Sequence, residues 1–333
     1  MCKSDLVTII TPCYNGESFL DNYFCSLLAQ SYRNIEIIFV NDGSTDETQN
    51  IVYKYKKQFE DKGIVFKYIY QNNGGQAKAI NNALQYIEGE YMIWPDSDDL
   101  LSSDSIEKRV MFLKNNPQYS FVRSNGYFFD FETKDYLYRI SNMENRYDED
   151  IFLDLILEKT YCFCGCYMIK TNILKEFYPD FKIYESSEGQ NWQILIPIAS
   201  KYKCGFIDED LYMIAVRKDS HSRRKRTVEE SVHRLNGLRD ILENTISISK
   251  REDMDFKYIL DVKYRKLRMK LYLDNNNLDM AKIEYNWLKK IKEINYDDYQ
   301  MYISKTSPVK FKIMRIINLV KRIINKLRRC MFS

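Results

Sequence analysis

The chain has 333 residues, 45% of them hydrophobic and 14% aromatic, which is enough for a substantial core and sets aside a disordered or fibrous protein. Its 50 Lys/Arg and 47 Asp/Glu give a net charge of +3, yet residues 309–333 hold eight of the basic side chains and no acid, leaving the other 308 residues with 42 basic against 47 acidic, a net of −5. An acidic body without an evident basic groove argues against nucleic acid as a partner.

Leu6–Thr11 is a short β-rich run, closed by Pro12 and the turn Tyr14-Asn15-Gly16. Phe19, Leu20, Phe24, Leu27 and Leu28 recur at helical spacing across 17–31. Ile35–Val40 reads as a second strand and ends in the polar run Asn41–Asp46; a helix over about 45–60 leads to a third strand, Val65–Tyr70. Asn72-Asn73-Gly74-Gly75 opens a helix to about Ile87, and Gly89 ends it before a strand over 91–94. Strands alternating with helices predict a parallel sheet with right-handed crossovers. Ligands bind beyond the carboxyl ends of such strands. The polar loops 12–16, 41–46, 71–76 and 96–99 all follow strands and should gather on one rim.

The fourth of these loops carries the strongest chemical signal. After the apolar run Tyr91–Trp94, Asp96, Asp98 and Asp99 crowd three carboxylates into four positions. Two carboxylates aimed at one point repel unless a cation sits between them, and Mg²⁺ or Mn²⁺ prefers such oxygen ligands, completing its shell with water and substrate phosphates. The plainer reading is a solvated acidic turn, with Asp99 or Ser102/Ser103 capping the next helix.

Thr11–Asn15, Val40–Asp46, Gly75–Asn81 and Trp94–Asp99 resemble, in order and spacing, the successive signatures of family 2 glycosyltransferases. The resemblance spans roughly residues 6–225. It implies an α/β fold of the GT-A type, a Rossmann-like mixed sheet flanked by helices, with a nucleotide-sugar half over 1–100 and an acceptor half over 101–225. It also implies an inverting enzyme with a nucleotide-sugar donor, commonly a UDP-sugar. Carried over position by position, it would put Thr11, Pro12 and Tyr14 around the base and Asp42 on the uracil N–H. Asp96 would lie by the ribose and sugar, and Asp98 would ligate an Mn²⁺ or Mg²⁺ ion bridging the diphosphate. Lys78 and Asn81 would lie near the donor. Many relatives have Arg where this chain has Ile80, and Lys78 is the available substitute cation.

Inversion needs a carboxylate base to take the acceptor's proton. The family usually draws it from a Glu-Asp pair that opens a helix in the second half. The matching segment here is Ser187–Leu195; aligned on Trp192, the pair is Gln190-Asn191, two amides. The base is then Glu188, the preferred reading, or Glu185, or it is absent. Upstream, Tyr161–Ile169 is strand-like, with Cys162, Cys164 and Cys166 at alternate positions. That spacing fits buried or half-buried thiols better than a metal site. Arg217–Arg223 resembles a loop that closes over the donor diphosphate. There His221 would contact metal or phosphate, and Arg217 and Arg223 would hold the diphosphate.

Residues 226–305 read as a helical extension, with helices over 228–242, 254–272 and 278–291; it is a spacer or a dimer contact. Within 309–333, Ile313, Ile316, Ile317, Val320, Ile323, Ile324 and Leu327 recur at three- and four-residue steps opposite a cationic face. Such a helix suits an anionic membrane surface, with docking on the enzyme's own surface as the competing reading. Eight cysteines without paired spacing, no apolar segment ahead of the first strand, and no apolar run long enough to span a bilayer lead to the expectation of a cytoplasmic enzyme, peripheral on the inner face of the cell membrane. The resulting expectation is a metal-dependent transferase acting on a glycan or lipid-linked oligosaccharide in bacterial surface-polysaccharide synthesis. A catalytically silent nucleotide-sugar-binding scaffold or partner subunit is the alternative, because of Gln190-Asn191. A nucleotidyltransferase would need a Gly-rich, basic loop after the first strand, and Thr11–Asn15 is not one.

Overall fold

From Leu6 to Cys13 every residue of the first strand, β1 (Lys3–Cys13), is buried, as is every residue of β2 (Ile35–Asn41). Strands covered on both faces belong at the centre of a parallel sheet. The structure, a computed structural model, describes residues 2–142, 144–186, 189–217, 225–249 and 251–316. They form two compact units, one of residues 1–224 and 240–253, the other of 225–239 and 254 onward.

In the first unit, α1 (Leu20–Leu28) and α2 (Thr48–Glu60) connect β1, β2 and β3 (Val65–Tyr70), and α3 (Gln76–Leu84) leads to β4 (Gly89–Ile93). These strands are parallel in the order β3-β2-β1-β4. The order reverses at β1, so the carboxyl ends of β1, β2 and β4 flank the crevice where α/β sheets bind ligands. Phe24 of α1 packs between α2 and the strands β2 and β3, with the rings of Phe39, Tyr55, Phe59 and Phe66 all 5.0–6.1 Å away.

Residues 100–216 add β5 (Leu100–Leu101), α4 (Ser105–Asn115), β6 (Phe121–Asp130), β7 (Tyr136–Arg139), α5 (Phe152–Ile156), β8 (Tyr167–Lys170), α6 (Thr171–Phe177), α7 (Gln190–Ala199) and β9 (Cys204–Val216). β8 inserts antiparallel between β4 and β6 and makes the sheet mixed. β9 runs parallel to β6, β5 pairs antiparallel with β9, and β7 forms a hairpin with β6, giving nine strands among the described residues.

Two local expectations are corrected here. The run 161–169 is not one strand: Cys164–Cys166 is a 3-10 turn, and only from Tyr167 does the chain enter the sheet. Gly165 in this turn packs against Tyr212, where a Cβ would lie 2.0 Å from a ring carbon. Cys164 and Cys166 are buried and Cys162 is partly exposed. Neither Asp99 nor Ser102/Ser103 caps the next helix; Asp104 holds that position before α4.

The second unit is helical, with part of α8 (Val228–Ile248), α9 (Phe256–Asp274), α10 (Leu278–Lys290) and α11 (Tyr296–Thr306). Asn277 and Asn295 cap α10 and α11 through their side-chain oxygens. Met269, Tyr272, Leu273, Ala281, Tyr285 and Leu288 form its core. Glu284, nearly buried, is held by Arg265 at 2.8 Å and Arg268 at 2.7 Å. Residues 308–316 are helical, and Val309, Ile313 and Ile316 are exposed. The remainder of the basic 309–333 segment lies outside the described residues. Among the described residues no helix is long and apolar enough to cross a membrane.

Candidate active site

The loop after β1 is tied to the loop after β2 before any ligand is involved. The Asn15 backbone N–H donates to Ser44 Oγ at 2.9 Å, and Asn15 Oδ1 accepts from the Thr45 N–H at 2.9 Å. Asn15 has φ +52°, a left-handed conformation that Asn tolerates better than most residues. Gly16 is required by close approach, since a Cβ there would lie 2.5 Å from Cys13 Sγ.

Asp42 pins the third loop. Its carboxylate accepts from Gln71 Nε2 at 2.7 Å and from the backbone N–H groups of Gly74 and Gly75 at 2.8 and 2.9 Å. Gly75 sits at φ +84°, which glycine accepts without strain, and α3 starts at the next residue. Three of roughly four acceptor positions on the carboxylate are thereby used.

The three clustered acids divide the work. Asp96 Oδ1 accepts from Gln76 Nε2 at 2.8 Å, its backbone N–H donates to the Tyr212 hydroxyl oxygen at 3.2 Å, and the Cys164 thiol hydrogen-bonds its carboxyl. Burial, reinforced by the neighbouring Asp98 charge, pushes its pKa up to about 6. Asp98 faces Arg217, with 3.1 Å between Oδ2 and Nη2. Arg217 in turn lies over the Phe19 ring, 4.5 Å from its centroid. Asp99 is structural: its buried carboxylate accepts from the Tyr212 hydroxyl at 2.7 Å and from the Ala215 N–H at 2.8 Å, lashing the acidic loop to β9. Burial and the charges of Asp98 and Asp96 raise its pKa well above the usual range.

Tyr212 thus holds two of the three acids, and Gly165 is what leaves room for its ring. Gly165→Ala is expected to lower stability by about 2–3 kcal/mol, the scale of overpacking against a ring that cannot retreat. Urea unfolding of both proteins measures it, and a change below about 0.5 kcal/mol would show that the ring yields freely.

Pro12, Tyr14, Asp42, Asp96, Asp98 and Arg217 line one cavity of about 210 Å³, with Phe19 and Gln76. Tyr14 is 51% exposed there. Thr11, Asn81 and Lys78 are placed elsewhere. Thr11 is fully buried and hydrogen-bonded to the Tyr23 hydroxyl, because its position on β1 faces α1. Asn81 clamps the backbone of Ile183, donating at 3.0 Å and accepting at 2.8 Å. Lys78 is exposed on the first turn of α3, its methylenes against Gly74.

Asn191 takes part through Trp94, whose indole N–H donates to Asn191 Oδ1 at 3.0 Å. An indole N–H can only donate, so the amide oxygen faces Trp94 and the NH₂ points away. Glu185 is an exposed side chain paired with Lys182 at 3.6 Å. Gly189, ahead of α7, has φ +68° and packs beneath Ile241, so that a Cβ would lie 3.1 Å from that side chain. Glu188, His221 and Arg223 lie outside the described residues. Gln76, Phe19 and Tyr212 were not singled out from sequence; of these only Gln76 lies inside a recognisable motif.

The donor set at Asp96 and Asp98 fits a hard divalent cation in an open site. Both carboxylates line the cavity, and the Asp98 charge adds to burial in raising the pKa of Asp96. Among the described residues no group of three or more His, Cys, Asp or Glu side chains converges to enclose an ion. A cation here would take its other ligands from water and phosphate, as Mg²⁺ usually does.

Comparison with known proteins agrees with this geometry. The family model described as "Glycosyl transferase family 2" matches residues 8–178, just over half of the chain. The minor teichoic acid biosynthesis protein GgaB of Bacillus subtilis is 26% identical over 323 residues, covering 94% of this chain and 35% of that protein. The chain spans less than half the length of the curated relatives it matches. Among solved structures, S. aureus TarS 1–349 in complex with UDP-GlcNAc superposes with a TM-score of 0.54 at 17% identity, covering 90% of this chain and 79% of that one. The mannosyltransferase PcManGT of Pyrobaculum calidifontis, in complex with GDP-Man and Mn²⁺, gives 0.56 at 17% identity, covering 93% and 82%. These likenesses establish the shared GT-A sheet.

Proposed function

Because this chain belongs to glycosyl transferase family 2 and is therefore a glycosyltransferase, we propose that it transfers a sugar from a UDP-sugar to a hydroxyl of a glycan acceptor, with inversion and with Mn²⁺ or Mg²⁺. The observation that carries the reading is one cavity lined by Tyr14, Asp42, Asp96, Asp98 and Arg217, an aromatic ring and a carboxylate beside a second group of charges. Tyr14 offers its ring to the uracil, and the remaining acceptor position of Asp42 takes the uracil N–H. Asp96 lies toward the ribose and the sugar. Arg217 matches two phosphate oxygens with its planar fork. What a divalent ion bound at Asp98 supplies is Lewis-acid stabilisation of the departing diphosphate. Asn191 turns its NH₂ away from Trp94 and orients the acceptor, while Glu188 takes the proton.

GgaB is named for teichoic acid biosynthesis and TarS is seen with UDP-GlcNAc, which supports a cell-surface polymer as acceptor, on a lipid carrier. The exposed Val309, Ile313 and Ile316 and the basic residues around them support peripheral binding at the cytoplasmic membrane face. Deleting 309–333 is expected to release most of the protein from liposomes containing anionic lipid while leaving it bound to UDP. Co-sedimentation at 0.1 M salt reads this out, and undiminished binding of the shortened chain would refute it. A second reading, a silent nucleotide-sugar-binding subunit, draws on the amide at position 191.

UDP release from a panel of UDP-sugars, with Mn²⁺, with Mg²⁺ and with chelator, tests the proposal. Metal-dependent release from one sugar supports it and names the donor. UDP binding without release under any condition favours the silent subunit, and no UDP binding overturns the donor site.

A further inference from the structure

Asp98 already faces a cation, and that cation belongs to the chain. Arg217 Nη2 lies 3.1 Å from Asp98 Oδ2, with the two side chains only 17% and 26% exposed. The guanidinium is seated over Phe19 at 4.5 Å, and both Arg217 and Asp98 line the donor cavity. Its backbone is fixed two residues earlier, where the Ala215 N–H donates to Asp99 at 2.8 Å. One short acidic loop therefore anchors the end of β9 through Asp99 and engages the Arg217 side chain through Asp98.

A carboxylate in this setting cannot serve a guanidinium and a divalent ion equally. The pair is charge-assisted and half-buried, and taking one partner away leaves the other charge uncompensated. A metal ion arriving alone would have to displace Arg217 and then leave a guanidinium beside a doubly charged cation in a partly desolvated cavity. A diphosphate removes both penalties. It offers oxygens that suit the guanidinium fork, and its negative charge screens the two cations from each other.

Resting on the glycosyltransferase reading above, we infer that Arg217 acts as the counter-ion of Asp98 in the ligand-free protein and passes to the donor diphosphate when a divalent cation takes Asp98. Metal and donor then load as a unit. By linkage, the donor tightens the metal by the factor with which the metal tightens the donor.

The test is Mn²⁺ binding to the full chain, followed by the electron paramagnetic resonance signal of unbound Mn²⁺, with and without UDP. In Arg217→Met, Mn²⁺ alone is expected to bind about tenfold more tightly than in the wild type, and the factor by which UDP tightens Mn²⁺ is expected to shrink about tenfold, within the usual range of coupling. Arg217→Lys keeps a charge but loses the fork, so it should fall between the two; it carries the same test should the Met variant fail to fold. Equal Mn²⁺ affinity in wild type and variants, with unchanged UDP coupling, overturns this inference and leaves the donor site standing. Absence of Mn²⁺ binding in every protein, even with UDP, overturns the metal site and this inference with it.

Discussion

Asp98→Asn is expected to lower sugar transfer by about 10³-fold, the scale seen when a group that stabilises transition-state charge is removed. The substitution keeps the size of the side chain and removes one negative charge from the cavity lining. The fold should survive it, because the scaffolding belongs to its neighbour: Asp99, not Asp98, holds Tyr212 and the Ala215 N–H. Asp98 makes its ion pair with Arg217 on the cavity wall, where charge is available for chemistry. UDP release at saturating Mn²⁺, paired with a thermal melt, separates the two roles. Activity within a few-fold of wild type would remove Asp98 from the mechanism.

Glu188→Gln is expected to reduce kcat by about 10²-fold or more with little change in UDP affinity, as loss of a general base does. The argument is one of elimination among side chains near the start of α7. Asn191 is an amide, which takes no proton, and its oxygen is engaged by Trp94. Gln190 is likewise an amide. Glu185 is occupied by Lys182 on an exposed surface. Acceptor-dependent turnover and UDP titration measure the two quantities separately. Unchanged kcat would exclude Glu188 as the base, and Asn191→Asp would then be the variant to examine for a gain in rate.

The first hundred residues disclose their fold in sequence because each element announces itself locally. Buried strands such as Ile35–Val40 are apolar runs broken only by Glu36, their ends are marked by Asn, Asp and Gly, and the rule that ligands sit at the carboxyl ends of strands does the rest. Direction of side chains within those motifs is less legible. Thr11 and Tyr14 belong to one signature, yet Thr11 faces the core while Tyr14 faces the cavity. Asn81 lies on the inner side of α3 and bonds a segment about a hundred residues away. The partnership of Asp99 with Tyr212, and the insertion of β8 between β4 and β6, depend on pairings so distant in the chain that no local periodicity encodes them. The amide at 191 was visible, but its engagement by Trp94 required the fold.

The excursion of the chain at 240–253 into the first unit has a bearing on how this enzyme is inherited and cut. The family model ends at residue 178, yet Ile241 and Leu242, both fully buried, belong to that unit, and Ile241 is the side chain that rests on Gly189 just ahead of Asn191. A protein shortened at 224 would keep every signature residue and lose the lining under the start of α7. The stretch matched by the family model and the compact unit therefore have different borders. Swapping catalytic modules between relatives should succeed only when the returning stretch after residue 239 travels with the rest.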